Sequence, residues 1–103
     1  MSIIKGVLAE ELQRLKELVE EYEKQLSSVQ KGSISKKKRN KNIYLYWAFR
    51  ENNKIKFIYI GPEDSEAGKK ALEERNKRIK YQKLLKKVES DIKEIKRALN
   101  EKQ

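Results

Sequence analysis

The stretch N-I-Y-L-Y-W-A-F-R-E-N-N-K-I-K-F-I-Y-I, Asn42 to Ile60, decides the fold. Aromatic and β-branched residues run with a period of two through Asn42–Arg50 and again through Lys54–Ile60. Glu51-Asn52-Asn53-Lys54 lies between them and reads as the turn of a β-hairpin. If Asn52-Asn53 is a two-residue loop, Trp47 lies opposite Ile58, Leu45 opposite Ile60 and Phe49 opposite Lys56. One face then carries Ile43, Leu45, Trp47, Phe49, Ile58 and Ile60, and is apolar enough to be covered by helices. The other face carries Tyr44, Tyr46, Arg50, Ile55, Phe57 and Tyr59. Upstream, Ser33-Ile34-Ser35 and the lysines after it suit a further strand, turning at Arg39-Asn40-Lys41. A three-stranded meander is more stable than a lone hairpin.

Outward from the sheet the period changes. From Ile4 apolar residues fall at 4, 8, 12, 15, 19, 22, 26 and 29, a heptad seam. Leu12, Val19 and Leu26 take a, Leu15, Tyr22 and Val29 take d, and Leu18 adds a g position. This predicts a helix over about 3–30, with Ser2 as its cap and Gly32 as its left-handed stop. The second stripe is Tyr81, Leu85, Val88, Ile92, Ile95 and Leu99, widened by Leu72 and Leu84. Pro62, Asp64 and Ser65 form its entry after Gly61, which predicts a helix from about 65 to 100. Gly68 is costly inside a helix, so the start could be Lys69 instead.

The predicted fold class is α+β: two long antiparallel, coiled-coil-like helices flanking a small antiparallel β-hairpin or three-stranded meander. The sheet lies at one end of the helix pair. One domain, 1–103, is expected, with the basic segment and sheet over about 33–61. Both stripes are wider than one two-helix seam needs, and the apolar surface left over points to a homodimer. Trp47 is expected to anchor the sheet against the helices.

Composition narrows the chemistry. The chain has 103 residues, 41% of them charged, and a net charge of +10. It contains no cysteine and no histidine. Disulfides, thiol nucleophiles and cysteine zinc sites are therefore excluded. The commonest general base and transition-metal ligand is missing too. No phosphate-loop, nucleophile-elbow or zinc-helix motif occurs. The acidic cluster Glu63, Asp64 and Glu66 lies at a helix start, where carboxylates suit the helix dipole. These features argue against an enzyme, and no cofactor, metal or small-molecule substrate is indicated. The longest apolar run, Ile43–Phe49, is far too short to cross a bilayer. The leading residues turn acidic before a signal-peptide core forms, so a cytoplasmic location is expected.

The charge is segregated. Residues 1–30 carry −2, residues 31–61 carry +8 and residues 62–103 carry +4. A polyanion is the natural partner for such a field, because lysine and arginine release counterions from phosphates. A merely solubilising lysine-rich surface is the alternative. Lys31, Lys36, Lys37, Lys38, Arg39 and Lys41 form an acid-free run leading into the tyrosine-bearing strand. Arg50, Lys54 and Lys56 extend it at the hairpin tip. Basic residues hold phosphates, while Tyr44, Tyr46 and Tyr59 offer stacking or groove-contacting rings. The same rings could instead pack beneath helices or a partner subunit. Lys80, Lys83, Lys86 and Lys87 form a second basic strip on the outer face of the last helix. The expected function is non-enzymatic nucleic-acid binding, with double-stranded DNA favoured over RNA and phosphate contacts dominant. The alternative is a coiled-coil assembly module without nucleic-acid binding.

The order of features is a leading helix, Gly32-Ser33-Ile34, basic residues and a strand with Tyr46-Trp47. Lys54 follows the turn, then Tyr59-Ile60-Gly61, and a closing helix with Asn76, Ile79, Tyr81 and Leu84-Leu85. This order resembles a family of small archaeal and bacterial helix–β-hairpin–helix proteins, classed as a domain of unknown function and often met near mobile elements. The hairpin is similar to strands near the start of some transposases. That resemblance implies nucleic-acid business but assigns no activity to any residue. In architecture alone the chain also resembles prefoldin subunits, whose role does not ask for so strong a positive charge.

Overall fold

A computed structural model describes residues 3–100. Its elements are α1 (Ile3–Ser27), β1 (Ser33–Arg39), β2 (Asn42–Glu51), β3 (Lys54–Pro62) and α2 (Glu66–Asn100). The fold is α+β, two long helices with a three-stranded antiparallel sheet between them in the chain. Two units are distinguished. One holds the chain up to Ser28 with the residues from Lys80 onward, and the other is Val29–Ile79. Ser2, the expected helix cap, lies outside the described residues.

In the helical unit, Tyr22 and Tyr81 have ring centroids 5.7 Å apart. The charge of Asp91 acts on Glu11. Moving back along α1 while moving forward along α2 makes the pair antiparallel. Leu15 and Val88 are buried at the seam, whereas Leu12, Val19, Tyr22, Leu26, Leu85, Ile92 and Ile95 are half-buried. The heptad pattern thus orients both helices, but Ile4 at its start is exposed.

The first helix stops three residues before Gln30. The Ser27 and Ser28 hydroxyls donate to the carbonyls of Lys24 and Gln25, each at 2.7 Å, and so satisfy orphaned acceptors of the last turn. Val29, the expected last d position, is buried in the sheet unit instead. Gly32 is likewise not the helix stop. It has φ 112° and leads into β1. The Arg78 guanidinium donates to its carbonyl, and a Cβ there would stand 2.6 Å from the Ala48 carbonyl oxygen.

The sheet order is β1-β2-β3. Asn52 and Asn53 have φ of 51° and 63°, the left-handed pair that a two-residue hairpin of this twist requires. They set Trp47 opposite Ile58 and Phe49 opposite Lys56. Asn40, at φ 57°, and Lys41 make the other two-residue loop, with Arg39 opposite Asn42. Leu45, however, lies opposite Gly61 and not Ile60, because the register shifts between Leu45 and Tyr46. Ile60 is the extra residue of a β-bulge, and Gly61 takes the φ of 147° that follows.

The anchor of this unit is Leu45, fully buried with no exposed surface. Trp47 is only half-buried. It lines a hollow of about 620 Å³ with Ile60 and with Ala67, Lys70, Ala71, Glu73, Glu74 and Lys77 of α2. Ile58, expected beneath the helices, is exposed.

α2 begins at once after the sheet. Ser65 is its N-cap: the hydroxyl oxygen accepts from Gly68 N at 3.1 Å and donates to the Pro62 carbonyl at 2.6 Å. Gly68 lies inside the first turn because the chain folds back on it. A Cβ at Gly68 would stand 2.3 Å from the Pro62 carbonyl oxygen and 2.9 Å from that of Glu63. Alanine ordinarily stabilises a helix interior by about 1 kcal/mol relative to glycine. Here the sign reverses, and Gly68→Ala should destabilise by about 1–3 kcal/mol from overpacking. Thermal unfolding of the two proteins checks this.

Candidate nucleic-acid interface

The register of β1 sorts the basic run between the two faces of the sheet. Ser35 lies opposite Tyr46, Lys37 opposite Tyr44 and Arg39 opposite Asn42. Side chains directly opposite each other share a face. Lys37 and Arg39 therefore join Tyr44 and Tyr46, and across β3 they join Ile55, Phe57 and Tyr59, the partners of Arg50, Ala48 and Tyr46. Neither Asp nor Glu occurs among the strand residues of this face. It carries Lys37, Arg39 and Arg50 around four aromatic rings.

The rings form one cluster. Tyr59 lies 5.3 Å from Tyr46 and 6.4 Å from Tyr44, centroid to centroid, in tilted arrangements. Lys37 reaches from β1 across β2, with its ammonium 4.8 Å from the Tyr46 ring centre and 4.9 Å from that of Phe57. Each cation–π contact at an exposed site contributes about 0.5–1 kcal/mol. The ammonium is thereby held over the middle of the sheet, and among the described residues it is in no ion pair. At the β1–β2 end Arg39, Asn40, Tyr44, Tyr46 and Tyr59 line a hollow of about 370 Å³. A guanidinium beside a shallow aromatic floor offers charge for a phosphate and a ring surface for a sugar or base.

The opposite face is different. Lys36 faces Leu45 and Lys38 faces Ile43. Lys36 pairs with Glu63 at 2.7 Å. Lys54 and Lys56 lie opposite Glu51 and Phe49, and Lys56 pairs with Glu51 at 3.5 Å. Lys41, in the first loop, lines a hollow with Glu63 and Asp64. So of the eleven expected residues, Lys37, Arg39, Tyr44, Tyr46, Arg50 and Tyr59 come together. Lys36, Lys38, Lys41, Lys54 and Lys56 do not join them, and four of these stand beside carboxylates. Phe57 belongs to the site through Lys37; strand alternation alone puts it on this face.

On the outer strip of α2, Lys87 donates to Asp91 at 2.7 Å, a contact that raises the pKa of the lysine. Lys80 stands over the Tyr81 ring. Among the described residues no group of carboxylates is placed to hold a metal ion, and no helix is long and apolar enough to cross a membrane.

Residues 8–70, from α1 through the sheet to the start of α2, match a domain of unknown function, DUF6788, and the chain belongs to that family. No curated protein and no solved structure matches the chain.

Proposed function

We propose that this DUF6788 member is a non-enzymatic nucleic-acid-binding protein of the cytoplasm that lays its aromatic, basic sheet face on duplex DNA. The observation that carries this reading is the acid-free face on which Lys37, Arg39 and Arg50 surround Tyr44, Tyr46, Phe57 and Tyr59. Phosphate contacts dominate, and they position the protein without selecting a sequence. The remaining lysines of residues 31–61 add to the field that draws the duplex in, whichever face they occupy.

Electrophoretic shifts with duplex DNA, single-stranded DNA and RNA at about 50 and 200 mM salt test this reading. The duplex should shift, with affinity falling at least tenfold between the two salt levels as counterion release requires. A stronger shift with single strands at both levels would assign the rings to base stacking and overturn the duplex assignment. No shift with any of the three would leave the coiled-coil assembly module as the reading.

A further inference from the structure

The two edges of the sheet are unlike. The β1 edge, S-I-S-K-K-K-R, is crowded with charge, the usual guard against pairing with another strand. The β3 edge carries Ile55 at 61% exposure, Phe57 at 50%, Ile58 at 51% and Tyr59 at 53%. These lie on both faces of the sheet, so no single covering element accounts for all of them. Among the described residues, no backbone hydrogen bond made outside the helices and strands involves residues 54–60. The outward N–H and C=O groups of this strand are thus open along its length.

We infer that β3 pairs antiparallel with β3 of a second copy of this chain, joining two sheets into one of six strands. Two identical antiparallel strands side by side are related by a two-fold axis normal to the sheet. Each face therefore continues into the same face of the partner. With Phe57 on the axis, Ile55 lies opposite the partner's Tyr59, and Lys56 opposite the partner's Ile58. Apolar side chains meet on one face, and lysine stems cover isoleucine on the other. No lysine stands opposite a lysine, whereas a register centred on Lys56 would set like charges face to face. The pairing uses residues 55–59 and stops before the bulge at Ile60.

Edge pairing covers the outward backbone groups and only the flank of each exposed side chain, so the buried area falls below about 1,000 Å², in the range of weak, reversible interfaces. The dimer is accordingly a micromolar one that forms without nucleic acid. Its two-fold doubles the aromatic, basic face into one surface.

The chain has no cysteine, so single cysteines report position cleanly. Residues on the axis approach to about 5 Å between Cα atoms, within disulfide range. Phe57→Cys should form a covalent dimer on mild oxidation, and Ser35→Cys on the β1 edge should not. Because Phe57→Cys removes a ring, sedimentation equilibrium of the unaltered protein is the companion measurement, with dimer mass expected at tens of micromolar. Monomer mass at 100 micromolar, or equal cross-linking at Ser35→Cys and Phe57→Cys, would overturn the pairing.

Discussion

Leu45→Ala should destabilise the protein by about 3–5 kcal/mol, the range for a buried leucine whose cavity cannot collapse. Among the described residues Leu45 is the one large side chain with no exposed surface, and it lies on the middle strand. Both neighbouring strands are held through β2, so slack at this position loosens the whole sheet. The bulge beside it limits relaxation, because Gly61 and Ile60 already follow an irregular path. Trp47→Ala removes more atoms but should cost less, since the indole is half-buried over an open hollow. Chemical denaturation followed by far-ultraviolet circular dichroism compares the two variants. A larger loss for Trp47→Ala than for Leu45→Ala would show that the indole is the anchor after all.

The second large effect concerns binding. Changing Lys37, Arg39 and Arg50 together to glutamine removes three positive charges from the acid-free face. Each phosphate contact contributes about 0.9 to the slope of log affinity against log salt, so the slope should flatten by roughly 2.7. Over the decade from 1 M to 0.1 M salt this amounts to a loss of about 10²–10³-fold in duplex affinity at the lower concentration. The loss should be similar for duplexes of different sequence, because phosphate contacts carry no sequence information. The fold should survive: all three side chains are exposed, and none appears in an ion pair of the described residues.

Most of the sheet is legible in the sequence because its signals are local. Asn52-Asn53 sets the loop, and the loop sets Trp47 against Ile58 and Phe49 against Lys56. The bulge is harder to read. Ile60 continues the apolar run, and only the following glycine hints that an extra residue has entered the strand. The heptads identify which helix faces meet, but serine hydroxyls, not Gly32, end the first helix. Gly32 and Gly68 look like punctuation, whereas each is required by a carbonyl oxygen pressed against it.

The binding site is legible in kind and not in membership. Ile34 is the single apolar residue of β1, so that strand shows no alternation from which its register could be read. Without the register, Lys36 to Lys41 is one block of charge. Pairing with β2 divides it, sending Lys37 and Arg39 to the rings and Lys36 and Lys38 to the other side. The ion pair of Lys36 with Glu63 spans 27 positions in the chain, which no local pattern reveals.

That division makes the central claim measurable with two variants of equal charge. One carries Lys37→Gln, Arg39→Gln and Arg50→Gln; the other carries Lys38→Gln, Lys54→Gln and Lys56→Gln on the opposite face. Lys56 loses only an exposed pair with Glu51, which contributes little to stability. Duplex DNA affinity is then measured by fluorescence anisotropy across a salt series. The aromatic face as binding surface predicts a slope flattened by roughly 2.7 in the first variant and by less than about 1 in the second. Equal flattening in both would mean that only the overall charge matters, and a greater change in the second would place the duplex on the opposite face.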